Sequence, residues 1–510
     1  MKKVIIRKTE EIENWRRNLN SEINFIPTMG NLHDGHIKLI STAKNDNSNV
    51  NLVSIFINPL QFDNKLDLEN YPKTIDNDIK ISFSNGADAI FIPSNEDIYP
   101  PNNKNIKFLK APKELSSALC GLNRIGHFDG VCTVVYRLLN LIKPKNLYLG
   151  EKDWQQLLIL KNLVFRMKLD VAIKSIPTQR DFDGIPLSSR NVHLSKNERK
   201  LINFFSSELL EAKKNFQQDK KINLNQIIKK LSAKKISIEY LEHLHPHTLQ
   251  KARLEDNISL LAGAIRCGET RLIDHVFLMK RRPIIAIDGP AGSGKSTVTK
   301  LIAKKLKLLY LDTGAMYRAL SWLMIKESID YKKEKKLQNI LKDISIVFKS
   351  NTNSHQDVYV NNYCVTEEIR SQKISSIVSK ISSIKEVRKF LVEEQRKIGE
   401  SGGLVAEGRD IGTTVFPHAE LKIFLTASID ERAKRRKSDK NSKDSQEIDL
   451  NTLKELIKKR DFEDSNREIS PLIKANDAIE IITDGYTINE VVDKIIDLYN
   501  DKIPKETEIK

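Results

Sequence analysis

Eight residues near the middle of the chain have the types and spacing of a phosphate-binding loop. Residues 289–296 read G-x-x-x-x-G-K-S, directly after a short apolar run and directly before a helical pattern. In such a loop the glycines let backbone N–H groups surround phosphates, Lys295 reaches the terminal phosphates, and the Ser296 hydroxyl is a ligand for Mg²⁺. A glycine-rich turn that matches by chance is the alternative, and the flanking strand and helix disfavour it. The sequence therefore predicts a nucleoside triphosphate site at Gly289, Gly292, Gly294, Lys295, Ser296 and Thr297.

A second group with chemical potential is the pair of histidines in PTMGNLHDGH, residues 27–36. His33 and His36 stand at a predicted helix start that directly follows a strand. Two imidazoles there can both face one phosphate, and the helix end adds its own positive field, which stabilises charge developing at an α-phosphate under attack. A metal site is the alternative for H-x-x-H, but no third ligand stands at a suitable spacing. Surface turn residues are the other alternative.

The elements around both groups alternate between strand and helix. The first 170 residues contain short apolar runs such as VII, NFIPT, VNLVSIFIN, ADAIFIP and NLYL, separated by helical patterns. Their hydrophobicity is continuous rather than alternating, which indicates a parallel sheet covered on both faces. Ligands of such sheets bind beyond the carboxyl ends of the strands. Both groups follow strands, as that rule requires.

Length and composition narrow the class of protein. With 510 residues the chain exceeds what one hydrophobic core usually supports, so two or more domains are expected. No apolar run reaches the length of a membrane helix, and the first residues include acidic ones, which disfavours a signal peptide and predicts a cytoplasmic protein. Four scattered cysteines predict neither a zinc site nor disulfides. The net charge of +17 permits nucleic-acid binding, but no basic stripe is interleaved with aromatics, so anionic small molecules are the favoured partners.

The first half of the chain resembles the pantoate–β-alanine ligase (pantothenate synthetase) family, a group within the HIGH-type nucleotidyltransferases. The resemblance extends from the start to about residue 275 and is carried by five motifs in the family's order. These are PTMGNLHDGH, SIFINPLQF, RIGHFDGV, LGEKDWQQ and PLSSRN. It implies a Rossmann-like domain at 1–178 and a small α+β domain at 179–276 that closes over the site and excludes water.

The resemblance also implies a reaction and its residues. ATP and pantoate would form pantoyl adenylate and pyrophosphate, and the amine of β-alanine would then displace AMP. His33, His36 and Lys152 would be catalytic, and Gln61 and Gln156 would bind pantoate, with surface amides as the alternative. Asp153 would contact the nucleotide or Mg²⁺. The expected ATP site is Met29, Gly30, His33, His36, Gly150, Lys152, Asp153, Ser188, Ser189 and Arg190.

The region after residue 191 completes this half. Two lysine-rich helical stretches precede YLEHLHPHTL, in which His243, His245 and His247 alternate as metal ligands on one strand face would. Pro246 interrupts that strand and no cysteine or carboxylate completes the set, so metal binding is the less favoured interpretation. The resemblance further implies that any homodimer would form through this half.

The second half resembles the bacterial cytidylate kinase family over residues 283 to about 500. DTGAMYR, EGRDIGT and RDFEDSNRE narrow the phosphate-binding loop to a P-loop kinase of CMP and dCMP that uses ATP and Mg²⁺. Arginine forks suit phosphate oxygens and spread transition-state charge. By similarity, Lys295 would be catalytic, and the monophosphate would be bound by Thr313, Arg318, Arg409, Asp410, Arg460, Asp464 and Arg467.

Two further segments of this half are expected to shape its site. Arg432, Arg435 and Arg436 stand in a predicted lid that would close on ATP, with solvated helix charge as the alternative. Residues 344–383 form an insert with strand-like VYVNN and VTEEIR that would enlarge the monophosphate site. The sequence thus predicts two enzymes in one chain, at 1–276 and 283–510. The alternatives are one active half with an inert scaffold, or a nucleotide-binding, RNA-associated regulator.

Overall fold

The computed structural model describes residues 3–45, 49–101, 107–268, 270–329, 334–350, 356–438 and 448–507. The chain divides into two compact units. The first contains Met1–Lys280 together with the residues from Pro504 onward, and the second contains Arg281–Ile503. The sequence predicts a second domain that extends to residue 510, whereas the turn after Ile503 belongs to the first unit.

The first unit is built on a six-stranded parallel sheet. Its strands are β1 (Val4–Ile6), β2 (Ile23–Thr28), β3 (Val50–Ile55), β4 (Ala89–Phe91), β5 (Asn146–Gly150) and β6 (Ala172–Ile176), in the order β1-β4-β3-β2-β5-β6. Every residue of β3 and β4 is buried, so both faces of the sheet are covered, as continuous strand hydrophobicity predicts. The chain moves from β2 to β3 on one side, while β5 pairs with β2 on the other. That reversal of strand order opens a crevice at the carboxyl ends of β2 and β5.

Helices and short turns connect these strands. The longer helices are Thr9–Arg17, Asp34–Lys44, Ile75–Asn85, His127–Ile142 and Trp154–Arg166. The shorter helices are Lys65–Glu69, Asn95–Ile98, Lys113–Ser116 and Leu119–Asn123, and 3₁₀ turns span Pro59–Gln61, Glu151–Asp153 and Ser189–His193. A helix that begins where a strand ends directs its first residues at the crevice, which is where the predicted motifs lie.

A small α+β subdomain follows within the first unit. Helices Lys196–Asp219 and Leu224–Ala233 pack on an antiparallel sheet of β7 (Ser237–Leu244), β8 (Ile258–Cys267) and β9 (Thr270–Met279). Strand β7 ends at Leu244, so His245 and His247 lie outside it and the three histidines do not share a strand face. His243 Nε2 contacts Ser259 Oγ at 2.7 Å, and His245 Nδ1 accepts the backbone N–H of His247 at 3.2 Å. These local contacts give hydrogen-bond partners to the rings of His243 and His245.

The second unit has a five-stranded parallel sheet. Its strands are β10 (Ile284–Asp288), β11 (Leu309–Asp312), β15 (Leu404–Gly408), β16 (Leu421–Thr426) and β17 (Ile479–Ile482), in the order β11-β15-β10-β16-β17. Strand β10 is central and wholly buried. Three of the four motifs predicted to bind nucleotides stand at the carboxyl ends of β10, β11 and β15, which are neighbours in this order, so their side chains converge at one edge of the sheet. The fourth, RDFEDSNRE, begins in the helix Leu450–Asn466.

The helices of the second unit surround that sheet. They are Lys295–Leu306, Thr313–Lys326, Glu334–Asp343, Gln372–Ser382, Lys385–Ile398, Ile429–Ser438, Leu450–Asn466 and Ile488–Lys502, with a π-helical turn at Ile411–Val415. The insert contains the antiparallel strands β12 (Ile346–Ser350), β13 (Gln356–Val360) and β14 (Tyr363–Cys364). The prediction of a strand at VTEEIR was wrong, because this segment forms the 3₁₀ turn Glu368–Arg370 and buries Ile369 in the small core beneath the insert.

Among the described residues, none of the helices combines the length and the apolar character needed to cross a membrane.

Candidate active sites

The turn between β2 and the helix Asp34–Lys44 is held by one buried carboxylate. Asp78 accepts the backbone N–H groups of Asn31 at 3.0 Å and Leu32 at 2.9 Å, and the Thr74 hydroxyl at 3.1 Å. Gly30 has a φ of +87° and Asn31 a φ of +50°, so the turn uses the two residue types that tolerate left-handed backbone. The turn is therefore rigid before any ligand contacts it.

The two histidines at this turn are oriented by backbone groups. Nδ1 of His33 accepts the N–H of Gly35 at 3.1 Å, and Nδ1 of His36 accepts the N–H of His33 at 3.3 Å. The proton of each neutral ring is thus on Nε2, which remains the hydrogen-bond donor. Burial, with the nearby charge of Lys152, lowers the pKa of His33 to about 4, and burial with His33 lowers the pKa of His36 to about 3. The site therefore presents two uncharged donors at neutral pH, with ring centroids 4.1 Å apart.

Lys152 and Asp153 reach the same crevice from the 3₁₀ turn after β5. Lys152 Nζ lies 3.5 Å from Asp153 Oδ1. Burial opposes ionisation of Asp153, but the charge and hydrogen bond of Lys152 outweigh it and hold the pKa of Asp153 below its usual value. The pair is thus an ammonium and a carboxylate, and the ammonium is available to phosphate oxygens.

The segment with Ser188, Ser189 and Arg190 is tied to the turn after β2. The Asn31 side-chain amide donates to the carbonyl of Ser189 at 2.9 Å, and Ser188 Oγ accepts the backbone N–H of Arg190 at 3.3 Å. Arg190 also pairs with Asp67 at 3.0 Å. These contacts bring a segment that is distant in sequence against the histidines.

Gln61 lies on the opposite wall, at the end of a 3₁₀ turn. Its Oε1 accepts from the Asn58 amide at 3.0 Å, and its Nε2 contacts Met29 Sδ at 3.2 Å. The Gln61 carbonyl lies 2.7 Å from His127 Nδ1. Asn58 is almost fully buried and also receives the Tyr99 hydroxyl at 2.9 Å, so Gln61 is held in place by a packed network.

These segments enclose a cavity of about 270 Å³. The predicted residues that line it are Met29, His33, His36, Gln61, Gly150, Lys152, Asp153, Gln156, Ser188, Ser189 and Arg190. Gly30 does not line it and instead shapes the turn. A second cavity of about 100 Å³ shares Lys152, Asp153 and Gln156 and extends to strands β8 and β9 of the small subdomain.

The phosphate-binding loop of the second unit has the predicted geometry. At Gly289, with a φ of +149°, an added Cβ would lie 2.0 Å from the carbonyl oxygen of Leu425, so only glycine fits. Gly292 and Gly294 have φ values of +79° and +87°, and Gly294 directly precedes the helix Lys295–Leu306. Lys295 is buried, and its Nζ donates to the carbonyl of Pro290 at 2.5 Å. Burial, and then the charge of Arg409, lowers the pKa of Lys295.

The first residue after this lysine contacts a buried carboxylate at the end of β15. The Ser296 hydroxyl donates to Glu407 Oε2 at 2.9 Å. Burial raises the pKa of Glu407. Asp288, at the end of β10, accepts the backbone N–H groups of Ile411 and Gly412 at 2.7 Å each, and burial raises its pKa to about 6. Hydroxyl and carboxylate oxygens are the ligands that Mg²⁺ prefers, and Mg²⁺ needs few of them because it keeps several waters. Ser296 and Glu407 therefore fit that ion.

Paired arginines form the opposite wall of the second site. Arg409 Nε donates to Asp464 at 2.8 Å, and Arg467 lies 3.6 Å from Asp410. Arg388 donates to the same Asp410. Burial opposes ionisation of Asp464, but Arg409 keeps its pKa below the usual value. The carboxylates hold the guanidinium groups in a fixed arrangement without using all their donors.

Two further arginines complete this wall. Arg318 donates to Asp312 at 2.8 Å. Burial, and then the charge of Arg409, lowers the pKa of Arg460 to about 10, so its guanidinium is still a cation at neutral pH. In the described part of the chain the buried Nε atoms of Arg318 and Arg460 have no hydrogen-bond partner. Buried donors of this kind suit an anionic ligand.

The loop and the arginines share one cavity of about 1320 Å³. The predicted residues that line it are Gly292, Gly294, Lys295, Ser296, Thr297, Arg318, Arg409, Asp410, Arg460, Asp464 and Arg467. Gly289 does not line it, and Thr313 is buried with its hydroxyl donating to the Glu407 carbonyl at 2.7 Å. Arg435 and Arg436 of the predicted lid line it as well.

The third lid arginine has a different environment. Arg432 is buried, pairs with Asp461 at 2.7 Å and donates to the carbonyl of Ala427 at 3.0 Å. It is neither solvated helix charge nor a lining residue of the cavity. Its contacts instead join the helices Ile429–Ser438 and Leu450–Asn466.

Sequence reasoning did not single out several residues that structure the two sites. Asp78 and Arg388 lie outside the quoted motifs, whereas Asn58 lies within SIFINPLQF and Glu407 is the first residue of EGRDIGT. Membership of these motifs is the sequence signal for Asn58 and Glu407, but it gives neither residue a specific role. Asp288 stands at the end of an apolar run just before the loop, and an acidic residue in that place is a signal in the sequence.

Two family matches cover nearly the whole chain. Residues 4–277 match the family described as pantoate-beta-alanine ligase. Residues 285–501 match the family described as cytidylate kinase.

Curated relatives match the chain from end to end. A "Bifunctional pantoate ligase/cytidylate kinase" of Prochlorococcus marinus (strain MIT 9215) is 95% identical over 510 residues, which is 100% of both chains. The protein of the same name from strain MIT 9301 is 96% identical over the same extent. A third, from strain NATL1A, is 49% identical over 509 residues and 99% of each chain.

Proposed function

The chain belongs to the family of bifunctional pantoate ligase/cytidylate kinases, and we propose which residues perform each reaction. The ligase half condenses pantoate with β-alanine through pantoyl adenylate, with release of pyrophosphate and then AMP. The kinase half transfers the γ-phosphoryl group of ATP to CMP or dCMP. We assign the ligase to residues 1–276, with 179–276 as the part that closes over the site, and the kinase to the region from residue 283.

The observation that supports the ligase assignment is the pair of neutral imidazoles beside Lys152 in one cavity. When the pantoate carboxylate attacks the α-phosphorus of ATP, negative charge shifts toward pyrophosphate. The Nε2–H groups of His33 and His36 donate to the phosphate oxygens, and the Lys152 ammonium supplies a full positive charge beside them. Donors that are fixed in advance need no reorganisation when the charge develops.

Serine and arginine groups complete the nucleotide site. Ser188, Ser189 and Arg190 line the same cavity and hold phosphate oxygens by hydroxyl and guanidinium donors. Arg190 is paired with Asp67, which leaves part of its fork available. Met29 and Gly150 contribute the apolar and backbone surfaces.

Pantoate is bound by neutral amides. Gln61 and Gln156 line the cavity, and Gln61 is fixed by Asn58. Amides orient the hydroxyls and carboxylate of pantoate without a positive charge that would weaken the nucleophile. The small subdomain contributes strands β8 and β9 to the adjoining cavity, and its closure protects the acyl adenylate from water.

The observation that supports the kinase assignment is one cavity that contains both a phosphate-binding loop and at least five arginines. Lys295 and the loop N–H groups bind the ATP phosphates, and Arg318, Arg409, Arg460 and Arg467 bind the phosphate of CMP. Asp464 and Asp410 orient these forks and accept from sugar or base donors. No general base is required, because positioning and charge neutralisation dominate phosphoryl transfer.

Mg²⁺ is the metal that we assign to both reactions. In the kinase, Ser296 and Glu407 would hold it, and in the ligase Asp153, which lines the cavity, would do so. The ion would neutralise charge on the phosphates of ATP. Mg²⁺ keeps several waters, so one or two oxygen ligands from the protein would suffice to hold it in each cavity.

We assign both reactions to the cytoplasm. The four cysteines are free thiols, as is usual in a reducing compartment. The partners are ATP, pantoate, β-alanine and CMP or dCMP, without nucleic acid or membrane, and the ligase half forms the contact of any homodimer.

The test is an assay of purified chain with ATP and Mg²⁺, in which adenine nucleotides are separated by chromatography. Pantoate with β-alanine should yield AMP, CMP should yield ADP, and ATP alone should yield neither. A chain that produces only one nucleotide has an inert half that serves as a scaffold. A chain that produces neither, but binds RNA in a salt-dependent way, would instead be a nucleotide-binding regulator.

A further inference from the structure

The last described residues of the chain form a closed turn in the first compact unit. The turn is the 3₁₀ segment Lys505–Thr507. Thr507 is buried, and both its backbone N–H and its hydroxyl donate to the carbonyl of Pro504, at 2.9 and 2.6 Å. The turn therefore keeps its shape through its own hydrogen bonds and presents its backbone donors in a fixed direction.

Those donors satisfy a buried carboxylate next to the ligase site. Glu151 is fully buried, and its two oxygens accept the N–H of Lys505 at 2.9 Å and the N–H of Glu506 at 3.0 Å. The Ser175 hydroxyl donates as well, at 2.9 Å. Burial raises the pKa of Glu151, and the N–H groups of the turn oppose that rise. Most of the hydrogen bonding to Glu151 thus comes from the C-terminal turn.

The side chain of Glu506 makes the reciprocal contact. It accepts the backbone N–H of Thr178 at 2.9 Å and also the Thr178 hydroxyl. Its carboxylate is 12% exposed and lies 3.8 Å from Nε2 of His275, too far for a hydrogen bond. The carboxylate is therefore directed at the segment after β6 and fixes its first residues.

Both contacts act on segments that line the ligase cavity. Glu151 stands between Gly150 and Lys152, and Thr178 stands beside Gln179. Gly150, Lys152, Thr178 and Gln179 all line the cavity of about 270 Å³. Displacing the turn would free the backbone on two sides of the nucleotide site at once.

We propose that the C-terminal turn Lys505–Thr507 positions the adenylation site of the ligase, with Glu506 as the positioning residue for the segment at Thr178. The proposal depends on the ligase activity proposed above. The turn follows the last helix of the kinase half in the chain, so the ligase requires residues from beyond the region that its own family match covers. Glu506 does not contact the reacting atoms and acts through Thr178 and through the backbone N–H that binds Glu151.

The test compares full-length variants in both assays. Glu506→Ala removes the acceptor for Thr178, and we expect its KM for ATP in pantoate-dependent AMP formation to rise roughly tenfold. Glu506→Gln keeps a neutral acceptor in place of a charge-assisted one, and its KM should rise about threefold. The matched control is Lys505→Ala, which changes a side chain on the same turn and keeps the N–H that reaches Glu151. CMP phosphorylation should be unchanged in all three.

A double-mutant cycle with Thr178→Val separates positioning from general stability. If Glu506 acts through Thr178, the increases in KM for ATP of Glu506→Ala and Thr178→Val should not multiply in the double variant. A purely structural role would lower the amount of active protein without changing KM. If Glu506→Ala does not fold, Glu506→Gln decides the question against Lys505→Ala.

The outcomes are distinct for the two proposals. An unaltered chain that forms no AMP would overturn the ligase function and, with it, the positioning role. An active chain whose Glu506 variants have the same KM for ATP as Lys505→Ala would overturn the positioning role alone.

Discussion

The two cavities of this protein hold phosphates by different means. In the ligase cavity the donors are two neutral imidazoles, serine hydroxyls, one lysine and one arginine already paired with Asp67. In the kinase cavity at least five arginines surround a phosphate-binding loop, and carboxylates hold them apart. The ligase cavity is about 270 Å³ and the kinase cavity about 1320 Å³.

The difference corresponds to the chemistry of the two reactions. The kinase must bring two anionic substrates together, so it needs enough positive charge to offset the repulsion between their phosphates. The ligase activates a carboxylate nucleophile, and excess positive charge beside that carboxylate would lower its reactivity. Neutral donors stabilise the phosphate without that penalty. Four predictions test this comparison.

The largest effect is expected from Lys295→Ala. Loss of the buried ammonium from the phosphate-binding loop should reduce CMP phosphorylation about 10²–10³-fold and leave pantoate-dependent AMP formation unchanged. Both rates are measured in the same preparation. Equal loss of both would mean that the two halves are coupled or misfold together.

His36→Ala should produce the reverse selectivity. Removing one neutral donor should lower the kcat of AMP formation about 10²-fold, with CMP phosphorylation unaffected. His36→Gln keeps a neutral N–H donor and should retain more activity than His36→Ala. A larger loss for His36→Gln would argue against the donor role.

Arg460→Lys tests whether the kinase needs guanidinium geometry or only charge. The substitution keeps the positive charge and removes the two-pronged fork, so the KM for CMP should rise roughly tenfold. The matched control is Arg396→Lys, since Arg396 lies in the same unit and binds the carbonyls of Thr414 and Val415. A KM for CMP that is unchanged in Arg460→Lys would place the CMP phosphate elsewhere in the cavity.

The smallest effect concerns pH and the ligase. The pKa values of His33 and His36, about 4 and about 3, lie below the usual value for histidine. Both rings therefore remain neutral as the pH falls from about 8 to about 6. The kcat/KM of the ligase reports ionisations of the free enzyme. Its pH profile should therefore show no inflection near pH 6.5 that disappears in His36→Gln. Such an inflection would mean that an imidazolium binds the phosphate.

Local sequence was sufficient for much of this molecule. The parallel sheets, the subdomain of the first unit and the two families were predicted from the chain and are confirmed. The phosphate-binding loop and the His33–His36 turn were also readable, because each is a strand, a turn and a helix start within about a dozen residues. The catalytic and binding roles of the individual residues stay predictions.

Other features depended on the tertiary structure. Asp78 orders a turn 47 residues before it, Glu407 reaches Ser296 across 111 residues, and Glu506 reaches Thr178 across 328. In each case the partner is a backbone group or a hydroxyl, which nearly every segment of the chain offers, so the sequence contains no sign of the pairing. The motifs could be recognised in the sequence because their donors are adjacent in the chain. The buried carboxylates that hold those motifs find their partners only when parallel strands bring distant segments to one edge of a sheet.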